Sequence, residues 1–127
     1  MSHVFDRHYT RTQARQLLPL VTAWLDQLQD LSGELQKLEK RMSVPISRGE
    51  DIGGGNVNSW VRKLAEFQAI LGEFHDRRIQ IKDLDRGLID FPALLGGREV
   101  FLCWEKGESD IEFWHDLDTG FAGREPL

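Results

Sequence analysis

Apolar residues recur at alternating spacings of three and four through the first third of the chain. From Ala14 to Met42 the series contains no polar member: Ala14, Leu17, Val21, Trp24, Leu28, Leu31, Leu35, Leu38 and Met42. A helix with a period near 3.5 is the one regular structure that places all of these on one face. The pattern predicts a long amphipathic helix over residues 10–42, begun by a capping box between Thr10 and Gln13.

A second stretch with the same spacing follows a glycine-rich connection. Residues 43–56 contain Pro45 and the run Gly53–Gly55, which predict a loop. A flexible connection is favoured over an anion-binding loop, because the Lys-Ser/Thr pair of a phosphate-binding loop is missing. Residues 57–86 carry a stripe that predicts a second helix, capped at its end by Gly87 in a left-handed conformation. The short loop implies that the two helices pack antiparallel.

After Gly87 the period of the apolar pattern changes from 3.5 to 2. Residues 88–118 predict an antiparallel β-meander, with a first strand stopped by Pro92 and a central strand over residues 98–104. Residues 119–127 are expected to be an irregular tail. The sequence thus predicts one α+β domain over residues 1–127: a long, coiled-coil-like antiparallel two-helix hairpin, then a small β-meander and the tail.

Charge and composition exclude several classes of function. The 127-residue chain has a formal net charge of −5, and its acidic residues are concentrated between residues 105 and 118. No basic stripe remains elsewhere, so we expect no nucleic-acid partner and no binding to anionic membranes. No apolar run approaches the ~18 residues of a membrane span. A single cysteine, Cys103, and no visible secretory signal favour a reducing, cytoplasmic location.

The C-terminal third holds the candidate chemistry. Its reactive side chains form a candidate ligand or ion-pair cluster: Asp90, Arg98, His115, Asp116, Asp118 and Arg124. One hypothesis is that these residues form ion pairs that hold the tail across the strands. The other is a divalent-cation or acid–base site at His115, Asp116 and Asp118, although the later glutamate of a calcium loop is missing. We expect the ion pairs, with no metal and no cofactor.

The remaining histidines and the cysteine are interpreted as structural. Cys103 lies in mid-strand between apolar neighbours, which favours an inert core thiol over a nucleophile. His75 borders the apolar stripe of the second helix and is expected to be partly buried. His3 and His8 are expected to be solvent-exposed, because nothing nearby in the sequence supplies partner ligands for a metal.

Several motifs carry a resemblance to a known family. They are DLDRGLIDFPA at residues 83–93, GREV at 97–100, LCW at 102–104, Trp114-His115, GFAGR at 120–124 and the Leu-Leu-Pro-Leu segment near the start. With these motifs the chain resembles a bacterial family catalogued as domain of unknown function 2203, and the match covers nearly the whole chain. The resemblance implies a small bacterial cytosolic protein with helical and strand parts. It implies no activity, cofactor or catalytic residue.

The apolar surplus on the helices suggests assembly. Two helices cannot cover Trp24, Leu25, Trp60 and Val61 together, whereas two hairpins packed as a four-helix bundle would. We therefore expect a homo-oligomeric interaction or scaffold module, a homodimer or higher, with itself as partner. The alternative is a small enzyme or divalent-metal-binding protein with its site in the acidic C-terminal segment. The sequence leaves the question of enzymatic activity open.

Overall fold

A computed structural model describes residues 2–47 and 54–127, and it confirms the α+β arrangement of a helical pair followed by an antiparallel sheet. The described elements are α1 (Arg11–Ser47), α2 (Gly54–Asp76), β1 (Gln80–Asp83), β2 (Leu88–Leu95), β3 (Arg98–Glu105), β4 (Phe113–Asp116), a short 3₁₀ helix (Phe121–Gly123) and β5 (Glu125–Pro126). The strands follow one another in the order β1-β2-β3-β4-β5, and every neighbouring pair is antiparallel.

Helix α1 begins as predicted but ends later. The Thr10 hydroxyl accepts a hydrogen bond from Gln13 N–H at 3.1 Å, and the Gln13 side chain accepts one from Thr10 N–H at 2.9 Å, which confirms the capping box. The helix continues to Ser47 rather than stopping at residue 42, and passes through Pro45. Pro45 has no N–H to donate to the carbonyl of Arg41, so the last turns of the helix are held by one hydrogen bond fewer.

The predicted boundaries of the glycine-rich loop, residues 43 and 56, are therefore both wrong. Residues 43–47 belong to α1, and Gly54 and Gly55 belong to the first turn of α2. Gly53 and the rest of residues 48–53 lie outside the described part of the chain.

The end of helix 2 is a second correction. The helix stops at Asp76, and residues 80–83, expected to be helical, form β1. Arg78 adopts a left-handed φ of 62°. Its N–H donates to His75 O, and Ile79 N–H donates to Phe74 O, each at 3.0 Å. This is a Schellman motif with arginine in the position that glycine usually occupies.

The side chains near this helix end also differ from expectation. His75, predicted to be partly buried, is exposed. Arg78, which stands in the sequence where the helical spacing would place an apolar residue, binds the carboxylate of Asp6 in the N-terminal segment, with Nε 3.0 Å from Oδ1. Gly87, predicted to cap the helix, instead has φ 68° in the turn between β1 and β2. Its own N–H donates to Leu84 O at 3.1 Å.

The sequence predicted that Pro92 ends the first strand, but β2 continues past it. The strand runs on to Leu95 and stays paired with β3 throughout, with Pro92 opposite Phe101. On its other side β2 pairs with β1 only as far as Asp90, so no hydrogen bond to β1 is lost at the proline. The carbonyl of Pro92 instead accepts from Tyr9 N–H at 2.7 Å, which fixes the N-terminal segment to the open edge of β2.

The core lies between α1 and one face of the sheet, here called the inner face. Its α1 members are Ala14, Leu18, Val21, Leu25 and Leu28, and its strand members are Ile89, Phe91, Ala93, Val100, Leu102 and Trp104. Because side chains alternate along a strand, the residues between them point to the opposite, outer face. The tail closes the sheet edge, since Leu127 N–H donates to Glu112 O at 2.9 Å. It is therefore less irregular than expected.

Candidate functional site

Three reactive side chains meet on the outer face of the sheet. Asp90 of β2 lies opposite Cys103 of β3, and His115 of β4 lies opposite Phe101, the next outer-face residue of β3. Asp90 and His115 are each 1% exposed and Cys103 is 0% exposed. The carboxylate, thiol and imidazole ligand atoms all lie within 4.8 Å of one another. Three adjacent strands thus supply one residue each to a buried cluster.

The hydrogen bonds of His115 define its tautomer. Its Nδ1 lies 2.6 Å from the backbone carbonyl oxygen of Asp116, and a carbonyl oxygen only accepts, so Nδ1 carries a proton. Its Nε2 lies 2.9 Å from Oδ2 of Asp90. One proton is shared across this second contact, either as a carboxylic acid donating to the imidazole or as an imidazolium donating to the carboxylate.

Burial sets the electrostatics of the cluster. Desolvation raises the pKa of Asp90, against the opposing influence of His115, Lys82 and the neighbouring Cys103 thiol. Desolvation, reinforced by the nearby Asp90 carboxylate, raises the pKa of the Cys103 thiol to about 12. The thiol is therefore protonated at neutral pH in the absence of a bound metal, and Cys103 is buried in the core as the sequence predicted. Oδ1 of Asp90 is buried and, among the described residues, has no hydrogen-bond partner.

Aromatic and basic side chains surround this cluster on the outer face. The Phe101 ring lies 5.5 Å from the His115 ring and 5.4 Å from the ring of Phe5 in the N-terminal segment. At the other end, the Arg124 guanidinium stacks 3.7 Å from the ring centroid of Phe113 and 4.7 Å from that of Phe121. The N-terminal segment and the tail therefore contribute to the packing of this face.

The other predicted site residues lie apart from this cluster. Arg98 pairs with the carboxylate of Asp116 at the β3–β4 edge, and Arg124 pairs with Glu108 at 2.7 Å. Asp118 is exposed and forms no ion pair with the described residues. The structure therefore does not bring His115, Asp116 and Asp118 together as metal ligands. The imidazole is turned toward Asp90 and the Asp116 carboxylate toward Arg98.

A second cluster was not foreseen in the sequence. Glu99 accepts hydrogen bonds from Val4 N–H at 2.8 Å and Phe5 N–H at 3.0 Å, and its Oε2 lies 2.8 Å from His8 Nε2. Desolvation opposes ionisation of this carboxylate, but the hydrogen bonds from Phe5, His8 and Val4 outweigh it and lower the pKa to about 2. His3 is exposed as expected, whereas His8 is partly buried and does have a partner. His8 and Glu99 are 91 positions apart in the sequence, so no local sequence pattern could predict their contact.

The outward flank of α2 forms a third feature. Val57, Val61, Leu64 and Leu71 are spaced by four, three and seven residues, which places them on one line along the helix. Val61 is 54% exposed and Leu71 is 36% exposed, and Phe74 is the one buried side chain of α2. We call these four residues the α2 line.

Comparison with known proteins assigns the chain to a family. No curated protein and no solved structure matches it. A family model described as an uncharacterised conserved protein, domain of unknown function 2203, matches residues 7–127. This match spans both helices and all five described strands. The chain therefore belongs to the domain of unknown function 2203 family, as its motifs indicated.

Proposed function

We propose that this protein is a homodimeric helical-hairpin interaction module whose two copies pack through the α2 line. The observation that carries the proposal is the apolar character of that line on the outward flank of α2. Isolated exposed apolar residues are common on proteins, but a line at heptad spacing along a helix is typical of a helix–helix interface. A second copy of the same line would cover it and complete a four-helix bundle.

The residues that cover each other within one chain limit where the interface lies. Leu25 and Leu28 are fully buried, and Leu31, Leu35 and Leu38 are at least nine-tenths buried. Trp24 packs on Phe74, with ring centroids 5.4 Å apart. Most of the α1 stripe is thus covered within the chain, so the apolar surplus lies on α2.

The charges along the hairpin favour an antiparallel dimer. Near the sheet, residues 26–36 and 64–73 contain acids and no bases: Asp26, Asp30, Glu34, Glu66 and Glu73. Farther out, residues 37–43 and 54–63 contain Lys37, Lys40, Arg41, Arg62 and Lys63 against Glu39 alone. In an antiparallel pair the basic part of each hairpin lies beside the acidic part of the other, whereas a parallel pair places like charges together.

The alternative, an enzyme or metal site built from His115, Asp116 and Asp118, has less support because these three side chains lie apart: His115 faces Asp90, Asp116 pairs with Arg98 and Asp118 is exposed. The family resemblance and the buried free thiol support placement in the bacterial cytoplasm. None of the described helices is long and apolar enough to cross a membrane.

Light scattering coupled to size-exclusion chromatography tests the proposal. Each chain has a mass of 14.6 kDa, and we expect the unmutated protein at micromolar concentration to elute with about twice that mass. Val61→Asp should elute as a monomer with an unchanged circular dichroism spectrum, because Val61 is largely exposed within one chain. Leu94→Asp is the control, since Leu94 is 45% exposed at the far end of β2 and should leave the dimer intact. A monomeric unmutated protein contradicts the proposal.

A further inference from the structure

We propose that Asp90, Cys103 and His115 form a binding site for a divalent cation of the zinc class, within the outer face of the sheet. This site differs from the one suggested by the sequence at His115, Asp116 and Asp118. It also revises the expectation that no metal binds. The inference is independent of self-association, because the three residues lie on the sheet and the α2 line lies on the hairpin.

The three donor atoms have the right chemistry and nearly the right spacing. Thiolate sulfur, imidazole nitrogen and carboxylate oxygen are the ligands that zinc takes in proteins. A tetrahedral zinc ion, with bonds of roughly 2.0 to 2.3 Å, holds its ligands roughly 3.3 to 3.7 Å apart. The donor atoms already lie within 4.8 Å of one another, and the shortest separation, from Nε2 to Oδ2, is 2.9 Å. Side-chain shifts on the order of 1 Å therefore suffice.

The histidine is already oriented as a ligand. In metal sites the coordinating imidazole commonly donates its other N–H to a backbone carbonyl, which fixes the ring and its tautomer. His115 makes this contact through Nδ1 to Asp116 O, at 2.6 Å. The lone pair that remains for a metal is then on Nε2, the atom that faces Asp90.

Asp90 supplies the second independent observation. Its side chain is 99% buried; the Cys103 thiol lies beside the carboxylate, but Oδ1 has no hydrogen bond of acceptable geometry with the described residues. Leaving a buried carboxylate oxygen unpaired is costly, so such an atom calls for an explanation. A cation bound between Asp90, Cys103 and His115 would satisfy Oδ1 if the carboxylate coordinates it through this atom or through both of its oxygens.

Charge balance makes the buried site feasible for a divalent cation. Binding displaces the thiol proton of Cys103 and the proton shared between Asp90 and His115, so two protons are released for each ion bound. One carboxylate and one thiolate then neutralise the two positive charges, and no net charge remains in the interior. Because a thiol proton must leave, affinity should increase with pH.

Cobalt is a suitable probe, because a cobalt–thiolate bond gives a charge-transfer absorption band in the near ultraviolet. Reduced, chelator-treated protein is titrated with Co²⁺ near pH 8, both in the folded state and during refolding, since the ligands are buried. We expect one Co²⁺ per chain, the charge-transfer band and a higher melting temperature. Cys103→Ala should lose the band and bind Co²⁺ at least 100-fold more weakly, and Asp90→Asn should also weaken binding. His8→Ala should bind as the unmutated protein does.

Two outcomes would overturn the proposal. The first is that the unmutated protein shows neither a band nor a rise in melting temperature after refolding with Co²⁺. The second is that Cys103→Ala retains full binding while His8→Ala loses it, which would place the ion at the cluster of His3, His8 and Glu99. Circular dichroism of each variant confirms that it is folded.

Discussion

His115 reaches across strand β3 to Asp90, with Nε2 2.9 Å from Oδ2 and each side chain 1% exposed. A one-residue shift in the pairing of either neighbouring strand would turn one of the two side chains to the opposite face. The contact therefore depends on the register of three strands at once. Because both groups are buried, neither can replace this partner with water.

The first prediction concerns the stability of this pair. His115→Ala leaves the buried carboxyl of Asp90 without its partner, and we expect a loss of about 3 kcal/mol in the free energy of unfolding. Asp90→Asn should cost only about 1 kcal/mol, because an amide N–H can still donate to the unprotonated Nε2. Denaturant melts of metal-free protein measure both values. If the two variants lose equal stability, the pair is an imidazolium donating to a carboxylate rather than a carboxylic acid donating to a neutral imidazole.

The second prediction concerns Arg124. Its side chain is 13% exposed, pairs with Glu108 and stacks on two aromatic rings. Arg124→Ala should therefore lower the free energy of unfolding by about 2 kcal/mol, through lost packing as well as lost charge. Arg62→Ala is the control, because Arg62 is exposed and, within the described part of the chain, its side chain hydrogen-bonds only to Ser59, at 3.4 Å. Equal effects of the two changes in a thermal melt would contradict this role for Arg124.

The third prediction concerns pH. The pKa of Glu99 lies at about 2 in the folded protein, below its usual 4.5. The folded state therefore binds this proton less tightly than the unfolded chain, so the stabilisation is present above pH 4.5 and is lost as the pH falls toward 2. Glu99→Gln should remove this part of the acid sensitivity and loosen the N-terminal segment, as measured by hydrogen exchange at Val4 and Phe5. A pH profile identical to that of the unmutated protein contradicts the prediction.

The fourth prediction compares two glycines with similar backbones. Gly87 has φ 68° and a Cβ there would lie 2.6 Å from Cβ of Lys106, whereas Gly96 has φ 59° with nothing within 4 Å. Gly96→Ala should cost about 1 kcal/mol for the left-handed conformation. Gly87→Ala should cost at least twice as much. The new Cβ would clash with the Cβ of Lys106, and both atoms are attached directly to the backbone, so they cannot move apart. Denaturant melts that show equal losses would contradict the close approach.

Local patterns in the sequence predicted the parts of the fold that depend on local contacts. The capping box at Thr10 and the alternation of Val100, Leu102 and Trp104 follow from neighbours within a few residues. The end of α2 was missed because the apolar spacing continues through Ile79 and Ile81, and because arginine is an unusual residue in the left-handed position of a Schellman motif. In the structure these two isoleucines belong to the turn and to β1.

The meeting of Asp90, Cys103 and His115 could not be predicted in the same way. Asp90 and His115 were candidate site residues and Cys103 was interpreted as a core thiol, but their contact depends on the registers of the β2–β3 and β3–β4 pairs. The predicted β-meander over residues 88–118 contains all three residues, but the strand pattern alone does not give the registers. It also does not show that the His115 side chain reaches across β3 to Asp90 on β2, because this contact depends on how three strands are arranged.

Disulfide cross-linking between two single-cysteine additions tests the antiparallel dimer most directly. Val61→Cys and Leu71→Cys lie on the exposed α2 line, and the native Cys103 is buried and should not react. In an antiparallel pair centred between these positions, residue 61 of one copy approaches residue 71 of the other, within the Cα separation of about 4 to 7 Å that a disulfide requires. We predict that an oxidised mixture of the two variants gives mainly the mixed dimer. Cross-linking of Val61→Cys chiefly to itself, or no cross-linking at all, would contradict the account.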